Sequence, residues 1–464
     1  MMKTCARALK LCLPALTIAV LHASCGGGSE QKNDPNAFQV PVDYYKLPNG
    51  LKVVLSQDAT APTVCVAVYY NIGFRIEPRD RTGFAHLFEH MMFQGSENLG
   101  KNEFAKLVQQ NGGVFNGSTR FDYTNYFEVM PAHKLETALW AEADRMKGLA
   151  ITQDNLTNQQ GVVKNEVRVN VLNQPYGGFP WLDMPQYANK NWFNAHNFYG
   201  DLKDLDSAKL EDVDKFFKTF YAPNNAVLAV VGDFDTPDAK KWIEQYFGPL
   251  ASSELPAKPD ITEPKQEAEQ VFHKTDTLAS KPAIAIAYKM PERNTPDYYA
   301  MGLIDQLLVQ GQDSKLVQKL TLEKGYTGNV NGGINYLGNM YNYNGPMVWM
   351  SDLIYDATVS PDSIVKVFDQ AINELSSVTQ EDVDMAVVKL RSDLYNTLGG
   401  NGFGRADLLA SFALFDDDPA RINSLESQFK KITPEQIKKT AAGYLTPMNR
   451  TILIVDPKKT TTNL

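Results

Sequence analysis

The stretch Gly83-Phe84-Ala85-His86-Leu87-Phe88-Glu89-His90-Met91-Met92-Phe93 holds residue types that can do chemistry together. In a helix, successive side chains stand about 100° apart. His86 and His90 then share a face one turn apart, and Glu89 lies beside them. Leu87, Phe88, Met91 and Met92 cover the other sides, so the helix is expected to be mostly buried. Two neutral imidazoles at this spacing can hold one zinc ion, and the neighbouring carboxylate can take a proton from water. The same pair could instead be two core histidines, and a zinc site needs a third protein ligand.

A second helix is expected from about Asp154 to Leu172. On it Val162, Val163, Glu166, Val169 and Asn170 share a face by their i, i+3, i+4 spacing. A carboxylate on an otherwise apolar face is costly to bury alone. Glu166 is therefore either a metal ligand or half of a buried ion pair.

With His86-Leu87-Phe88-Glu89-His90 followed 76 residues later by Glu166, the chain resembles the pitrilysin/insulinase-type metallopeptidases, which carry the inverted zincin order. The flanks agree: Asn71 to Glu77 before the motif, Phe93-Gln94-Gly95-Ser96 after it, Asn111 to Pro131, and Leu135-Glu136 to Asp144-Arg145-Met146. The resemblance covers nearly the whole chain after its leader. The length is similar to that of the two-domain, mitochondrial-processing-peptidase-like members. The resemblance implies that His86, His90 and Glu166 hold one zinc ion per chain. It implies that Glu89 is the general base of a peptide-bond hydrolysis without a covalent intermediate. It also implies that Phe115, Asn116, Gly117 and Ser118 lie on an edge strand that pairs with an unfolded or extended peptide. Read from the residues alone, that stretch is an ordinary sheet edge with a glycine break.

Two departures stand out. The family commonly has a Glu seven residues before the third ligand, where this chain has Gln159; an amide there can orient Glu166 but adds no charge. Family members that grip substrate fully also carry an Arg and a Tyr seven apart in the second domain. Aligned on Glu323-Lys324-Gly325, those positions hold Thr321 and Gly328; a register shifted by two gives Lys319 and Tyr326. In relatives lacking the pair, a paralogous subunit without the zinc motif supplies it. The chain is thus expected to be the zinc-bearing half of a heterodimer, with a homodimer as the other arrangement. The competing functional reading is a non-catalytic scaffold or peptide-binding subunit of the same fold.

The remaining sequence must position these residues. At 464 residues the chain is too long for one ordinary core. Its net charge of −9 and lack of a basic block argue against a nucleic-acid partner. Lys3, Arg7 and Lys10 precede an apolar run from Leu11 to Leu21, which reads as a secretory signal over 1–24. Ala23-Ser24-Cys25-Gly26 looks like a bacterial lipobox, with lipidation at Cys25 and a flexible tether over 25–40. His22 sits where that motif usually has Leu, and simple cleavage near Ser24 is the alternative. Export to the cell envelope follows from either reading, and lipidation at Cys25 implies a chain anchored to a membrane but not spanning it. Cys65 lies in an alternating apolar run and is expected as a buried thiol.

The fold class expected is α+β, from an internal duplication. Val42 to Ser56, Thr63 to Tyr70, two segments within Val114 to Met130, and Ala226 to Val231 read as strands; helices are expected between them. A catalytic domain over 41–250 is followed by a proline-rich linker, 251–270, and a metal-free domain, 271–464. Pro62 to Val68 parallels Pro282 to Tyr288, and the Tyr221 and Tyr444 regions match again. Each domain is expected to be an antiparallel-rich sheet with helices on one face, and the family fold closes two of them like a shell. No His follows His273, so chemistry is confined to the first half. His133 and His196 are expected to be structural or exposed, the Tyr336 to Tyr343 run to pack in a sheet, and Gly399 to Gly404 to be a turn between helices.

Overall fold

A computed structural model describes residues 39–458, so the expected signal, Cys25 and nearly all of the tether lie outside the described residues. Two sheets organise the rest. The first contains β1 (Asp43–Lys46), β2 (Lys52–Gln57), β3 (Thr63–Tyr70), β4 (Val114–Thr119), β5 (Thr124–Pro131) and β6 (Ala226–Gly232), in the order β1-β2-β6-β3-β5-β4. The second contains β7 (Gln270–Asp276), β8 (Ala283–Lys289), β9 (Asn331–Ile334), β10 (Val348–Ile354) and β11 (Arg450–Pro457), in the order β7-β11-β8-β10-β9. Only β2 with β6 and β7 with β11 run parallel. The second sheet repeats the last five strands of the first, including the position of the parallel pair, so the α+β class and the duplication hold.

The matching register differs from the sequence pairing. Asn225 and Asn449 each donate through Nδ2 to the carbonyl five residues earlier, Phe220 and Tyr444, and each precedes the central strand β6 or β11. From that anchor Leu228 corresponds to Ile452. Their neighbours Val68 and Ile286 then correspond as well. The resemblance of Pro62 to Pro282 is therefore two residues out of register. Strand alternation has period two, so the slip preserved the faces and hid itself.

The expectation of helices on one face of each sheet also needs correction. β3, β6, β8 and β11 are buried at almost every position, as strands covered on both sides must be. Phe84, Leu87, Phe88, Leu139 and other helical residues of the first half pack on Val64, Val66 and Val68. The opposite face, with Cys65, Ala67 and Tyr69, packs on Ala406, Leu409 and Ala410 of the helix Phe403–Asp416, which follows the second sheet's β10 in the chain. In return Met184 and Ala188 of the helix Asp183–Ala188, from the first half, cover Ala283, Ala285 and Ala287. Each half lends a helix to the other's sheet. Cys65 is a buried free thiol, as expected.

Polar groups lock this junction. The Tyr69 hydroxyl donates to buried Asp407 at 2.8 Å, and Asn342 Nδ2 donates to the Tyr123 hydroxyl at 3.1 Å. Arg75, with no exposed surface, bonds Asp122, which also accepts the Asn344 amide at 2.8 Å. The Tyr336 to Tyr343 run is thus not a sheet segment. It belongs to the loop between β9 and β10: Tyr336 donates to Asp352 of β10 and packs on the second sheet, while Asn342 reaches across to Tyr123 of the first half. Gly399 to Gly404 does join two helices, Gln380–Leu398 and Phe403–Asp416. Among the described residues no helix is long and apolar enough to cross a membrane.

Candidate metal centre

The motif forms the helix Phe84–Met91, which rests on the first sheet. Its start is held by Glu77, a carboxylate with no exposed surface, which accepts the Gly83 amide at 2.9 Å and the Ala85 amide. A negative charge at a helix N-terminus meets both unpaired amides and the helix dipole. His196 is structural, as expected: it bonds the Phe74 carbonyl, stacks on Trp192 at 4.2 Å and lies 3.7 Å from Glu77. His133 is exposed.

Glu166 comes from the helix Gln153–Val167, capped by Thr152 and tied to the end of the motif helix where Asn155 Nδ2 donates to the Gln94 carbonyl. The buried face of this helix is Leu156, Gln159, Val163 and Val167. The face expected from spacing is corrected here: Val162 is 41% and Val169 48% exposed. Glu166 borders the buried stripe rather than sitting in it, which lets its carboxylate reach the histidines and still face solvent. Gln159 is buried two turns away, and no hydrogen bond joins it to Glu166 among the described residues.

The three side chains converge. His86 Nε2 and His90 Nε2 are 3.3 Å apart, and Glu166 Oε2 lies 3.6 Å from the first and 3.2 Å from the second. Two donors each about 2.0–2.1 Å from a tetrahedral ion are about 3.3–3.4 Å apart, so these separations fit one zinc-sized cation. The donor set agrees. Burial, reinforced by the neighbouring His90, pushes His86 down to about 3, so its imidazole is neutral. For Glu166, burial raises the carboxyl, but the His90 bond and both imidazoles outweigh it and hold it below the usual range.

Glu89 is not part of this triangle. Its Oε2 accepts the Thr119 hydroxyl at 2.8 Å, and the Cβ position of Gly117 lies 3.3 Å from its Cγ, so β4 passes directly over it. Burial pushes the Glu89 carboxyl up, against the pull of Thr119, His90 and Arg120. β4 is the outer strand of its sheet, as expected for Phe115 to Ser118. The Phe115 ring, however, packs inward on Phe93 at 5.3 Å, so only backbone is offered there. The Gly117 amide donates to the side chain of Asn116, and Ser118 donates to Asn125.

Sequence reasoning missed Tyr199. Its hydroxyl donates to Glu166 Oε1 at 3.1 Å, leaving Oε2 for the histidines, and its ring meets His86 edge-on at 5.1 Å. Burial pushes its phenol up to about 12, so it is a donor at neutral pH. Two glycines bring it there. A Cβ on Gly83 would sit 2.4 Å from the Tyr199 carbonyl oxygen, and one on Gly200 would sit 2.3 Å from the Gly83 nitrogen. Both have positive φ. Phe198 completes the wall at 4.5 Å from His86. No periodicity marks Tyr199; the Tyr-Gly pair before the Asp201-capped helix was its only signal.

Comparison with known proteins identifies the family. The insulinase model of peptidase family M16 matches residues 52–192, and the model of the peptidase M16 inactive domain matches 207–390. The zinc protease PqqE of Helicobacter pylori is 26% identical over 429 residues, covering 89% of this chain and 92% of that protein. The crystal structure of a protease from Helicobacter pylori aligns with a TM-score of 0.83 at 24% identity, over 90% of this chain and all of that one. The periplasmic protease PqqL from Escherichia coli aligns at 0.72 and 16% identity, over 91% of this chain but 48% of that one. Models for both halves and a two-sheet fold shared end to end place this chain in the insulinase-type M16 peptidase family, in its two-domain form.

Proposed function

We propose that the chain is a zinc-dependent endopeptidase acting on unfolded or extended peptides. The observation that carries this is the triangle of His86, His90 and Glu166 with a free carboxylate, Glu89, beside it under an edge strand. His86, His90 and Glu166 would hold the metal, with Tyr199 fixing the carboxylate. When bound, zinc acidifies water and polarises a carbonyl oxygen. Glu89 takes a proton from the attacking water and hands it to the leaving amine, its hydrogen bond to Thr119 keeping one oxygen oriented. The β4 edge reads an extended backbone rather than a particular sequence, which selects unfolded chains.

The same reading divides the chain into a metal-bearing half, 41–250, a connector, 251–270, and a metal-free half, 271–464. It places the protein in the cell envelope through the signal at 1–24, with Cys25 as the lipid site. It also makes the chain one subunit of a pair. Thr321 and Gly328 offer no substrate-gripping cation or phenol, and in the other register Lys319 is already bound to Glu374 at 2.6 Å. The test is Glu89→Gln. The variant should keep one zinc per chain and lose cleavage of a quenched peptide, assayed with and without the partner subunit. An active variant would remove Glu89 from this role.

A further inference from the structure

The duplication places a second version of the catalytic cleft in the metal-free half, and the correspondence can be followed residue by residue. Gly117 of β4 pairs with Tyr126, which pairs with Val68. Gly332 of β9 pairs with Ser351, which pairs with Ile286. The Cβ position of Gly117 faces Glu89 at 3.3 Å; that of Gly332 faces Val309 at 2.6 Å. Val309 therefore stands where Glu89 stands, and His86-Leu87-Phe88-Glu89-His90 becomes Gln306-Leu307-Leu308-Val309-Gln310. Helix caps give the third position. Thr152 caps the Glu166 helix and Thr379 caps Gln380–Leu398. Counted from those caps Glu166 corresponds to Asp393, and buried Leu156, Val163 and Val167 correspond to buried Val383, Leu390 and Leu394.

The exchange replaces both imidazoles with amides and removes the base, yet the cleft stays open. It encloses about 410 Å³, and none of the residues lining it is basic. It also holds unused hydrogen-bonding groups. Gln306 is 7% exposed, lines the cleft and makes no hydrogen bond among the described residues. Asn335 is 2% exposed; its Nδ2 donates to the Asn339 carbonyl and to Asn342 Oδ1, which fixes the amide and leaves Oδ1 buried without a donor. Asp305 accepts from Trp349 Nε1 at 2.7 Å and Gln310 Nε2 at 3.1 Å, while Asp393 stands at the mouth. Neither carboxylate has a Lys or Arg within 4.0 Å among the described residues. Burial pushes Asp305 up to about 6, and Asp393 adds to the shift, as two uncompensated negative charges would.

We propose that this cleft is a non-catalytic subsite for an arginine side chain of the peptide substrate. A guanidinium is a planar cation with five donors, and the cleft offers acceptors at Asn335 Oδ1, Gln306 Oε1 and Asp393 together with unbalanced negative charge. The peptide nature of the ligand rests on the peptidase reading; the cation pocket does not.

The test separates the two. In the full chain carrying Glu89→Gln, binding of a blocked extended peptide with one arginine is compared by fluorescence anisotropy with its citrulline counterpart, which is neutral but similar in shape. The arginine peptide should bind about tenfold more tightly or better, since bonds to charged groups are lost in the exchange. Asp393→Asn and, separately, Gln306→Leu should each erase most of that ratio, with the melting temperature of the free protein unchanged, and a zinc chelator should leave it intact. Equal binding of the two peptides would overturn the proposal, as would a ratio that survives both substitutions. Calcium binding at one equivalent, lost in Asp393→Asn and competitive with the peptide, would make the cleft an inorganic cation site and also overturn it. A chain that cleaves no peptide even with its partner subunit would defeat the peptidase reading, while the arginine-to-citrulline ratio would still report on the cleft.

Discussion

Replacing Tyr199 with phenylalanine removes the hydroxyl that reaches Glu166 and Asn170 and keeps the ring. The ring stays, with its edge-on contact to His86 at 5.1 Å, while the 3.1 Å bond from the hydroxyl to Glu166 Oε1 is lost. A hydrogen bond to a carboxylate contributes about 1.5–3 kcal/mol, and about 1.4 kcal/mol is tenfold in affinity, so zinc should bind roughly ten- to a hundredfold more weakly. Partners behind metal ligands typically matter by that range. The Glu166 side chain is 28% exposed, so water can replace part of the bond and the lower end is expected. The assay is a competition titration of the metal-free chain against a chromophoric zinc chelator, followed by turnover at saturating zinc. Affinity should fall while turnover at saturation recovers, because Tyr199 positions a ligand and does not touch the reacting atoms. Affinity within about twofold of wild type would show that Glu166 is oriented by packing alone, and the role assigned to Tyr199 would be wrong.

Other perturbations follow from the same geometry. Gly200→Ala forces a side chain against the Gly83 nitrogen at 2.3 Å with φ at +68°; it should cost about 2–4 kcal/mol in denaturant unfolding and weaken zinc binding with it. Zinc held by His86, His90 and Glu166 would add a tie between the motif helix and the Glu166 helix. At a free metal concentration about a hundred times Kd, the bound form should be more stable by about 2.7 kcal/mol, read as a chelator-sensitive rise in melting temperature. Asp305 supplies a pH test. Its carboxyl is raised from 3.8 to about 6 in the fold, so the native state holds more protons than the unfolded chain between those values. Stability from this group is present below about pH 4 and is lost as pH rises through about 6, by up to about 3 kcal/mol. Asp305→Asn keeps an acceptor for Trp349 and should flatten that part of the wild-type profile; an unchanged slope would contradict the assigned burial.

The parts legible in the sequence were those with a period or a chemical spacing. The motif helix and the edge strand Val114–Thr119 start within a residue or two of where the sequence puts them, because Gly83 and the Gly112-Gly113 turn bound them sharply. Glu166 could be picked out by its distance from His90, but not its setting. Gln159 occupies the buried stripe of that helix and Val162 and Val169 the open side, so the apolar pattern pointed to the wrong face. The Tyr336 to Tyr343 run looked like a sheet segment because a loop packed against a sheet, as Tyr336 is, carries the same aromatic composition as a strand. Glu77 and Tyr199 carry no period at all. Their roles depend on loop geometry set by distant residues, and only coordinates reveal it. The run of β3 reads as alternating, yet Val64 to Tyr70 are all apolar and all buried, a pattern that belongs to cover on both faces.

The reciprocal loan of helices has a consequence for how this protein can be divided. Cutting within 251–270 would strip Phe403–Asp416 from one sheet and Asp183–Ala188 from the other, leaving Cys65, Ala67 and Tyr69 on one fragment and Ala283, Ala285 and Ala287 on the other bare to water. Neither fragment should therefore fold when made alone, although the two should reassemble when made together. Through this exchange of parts the two repeats form a single indivisible object. The half without the histidine pair supplies part of the other's scaffold.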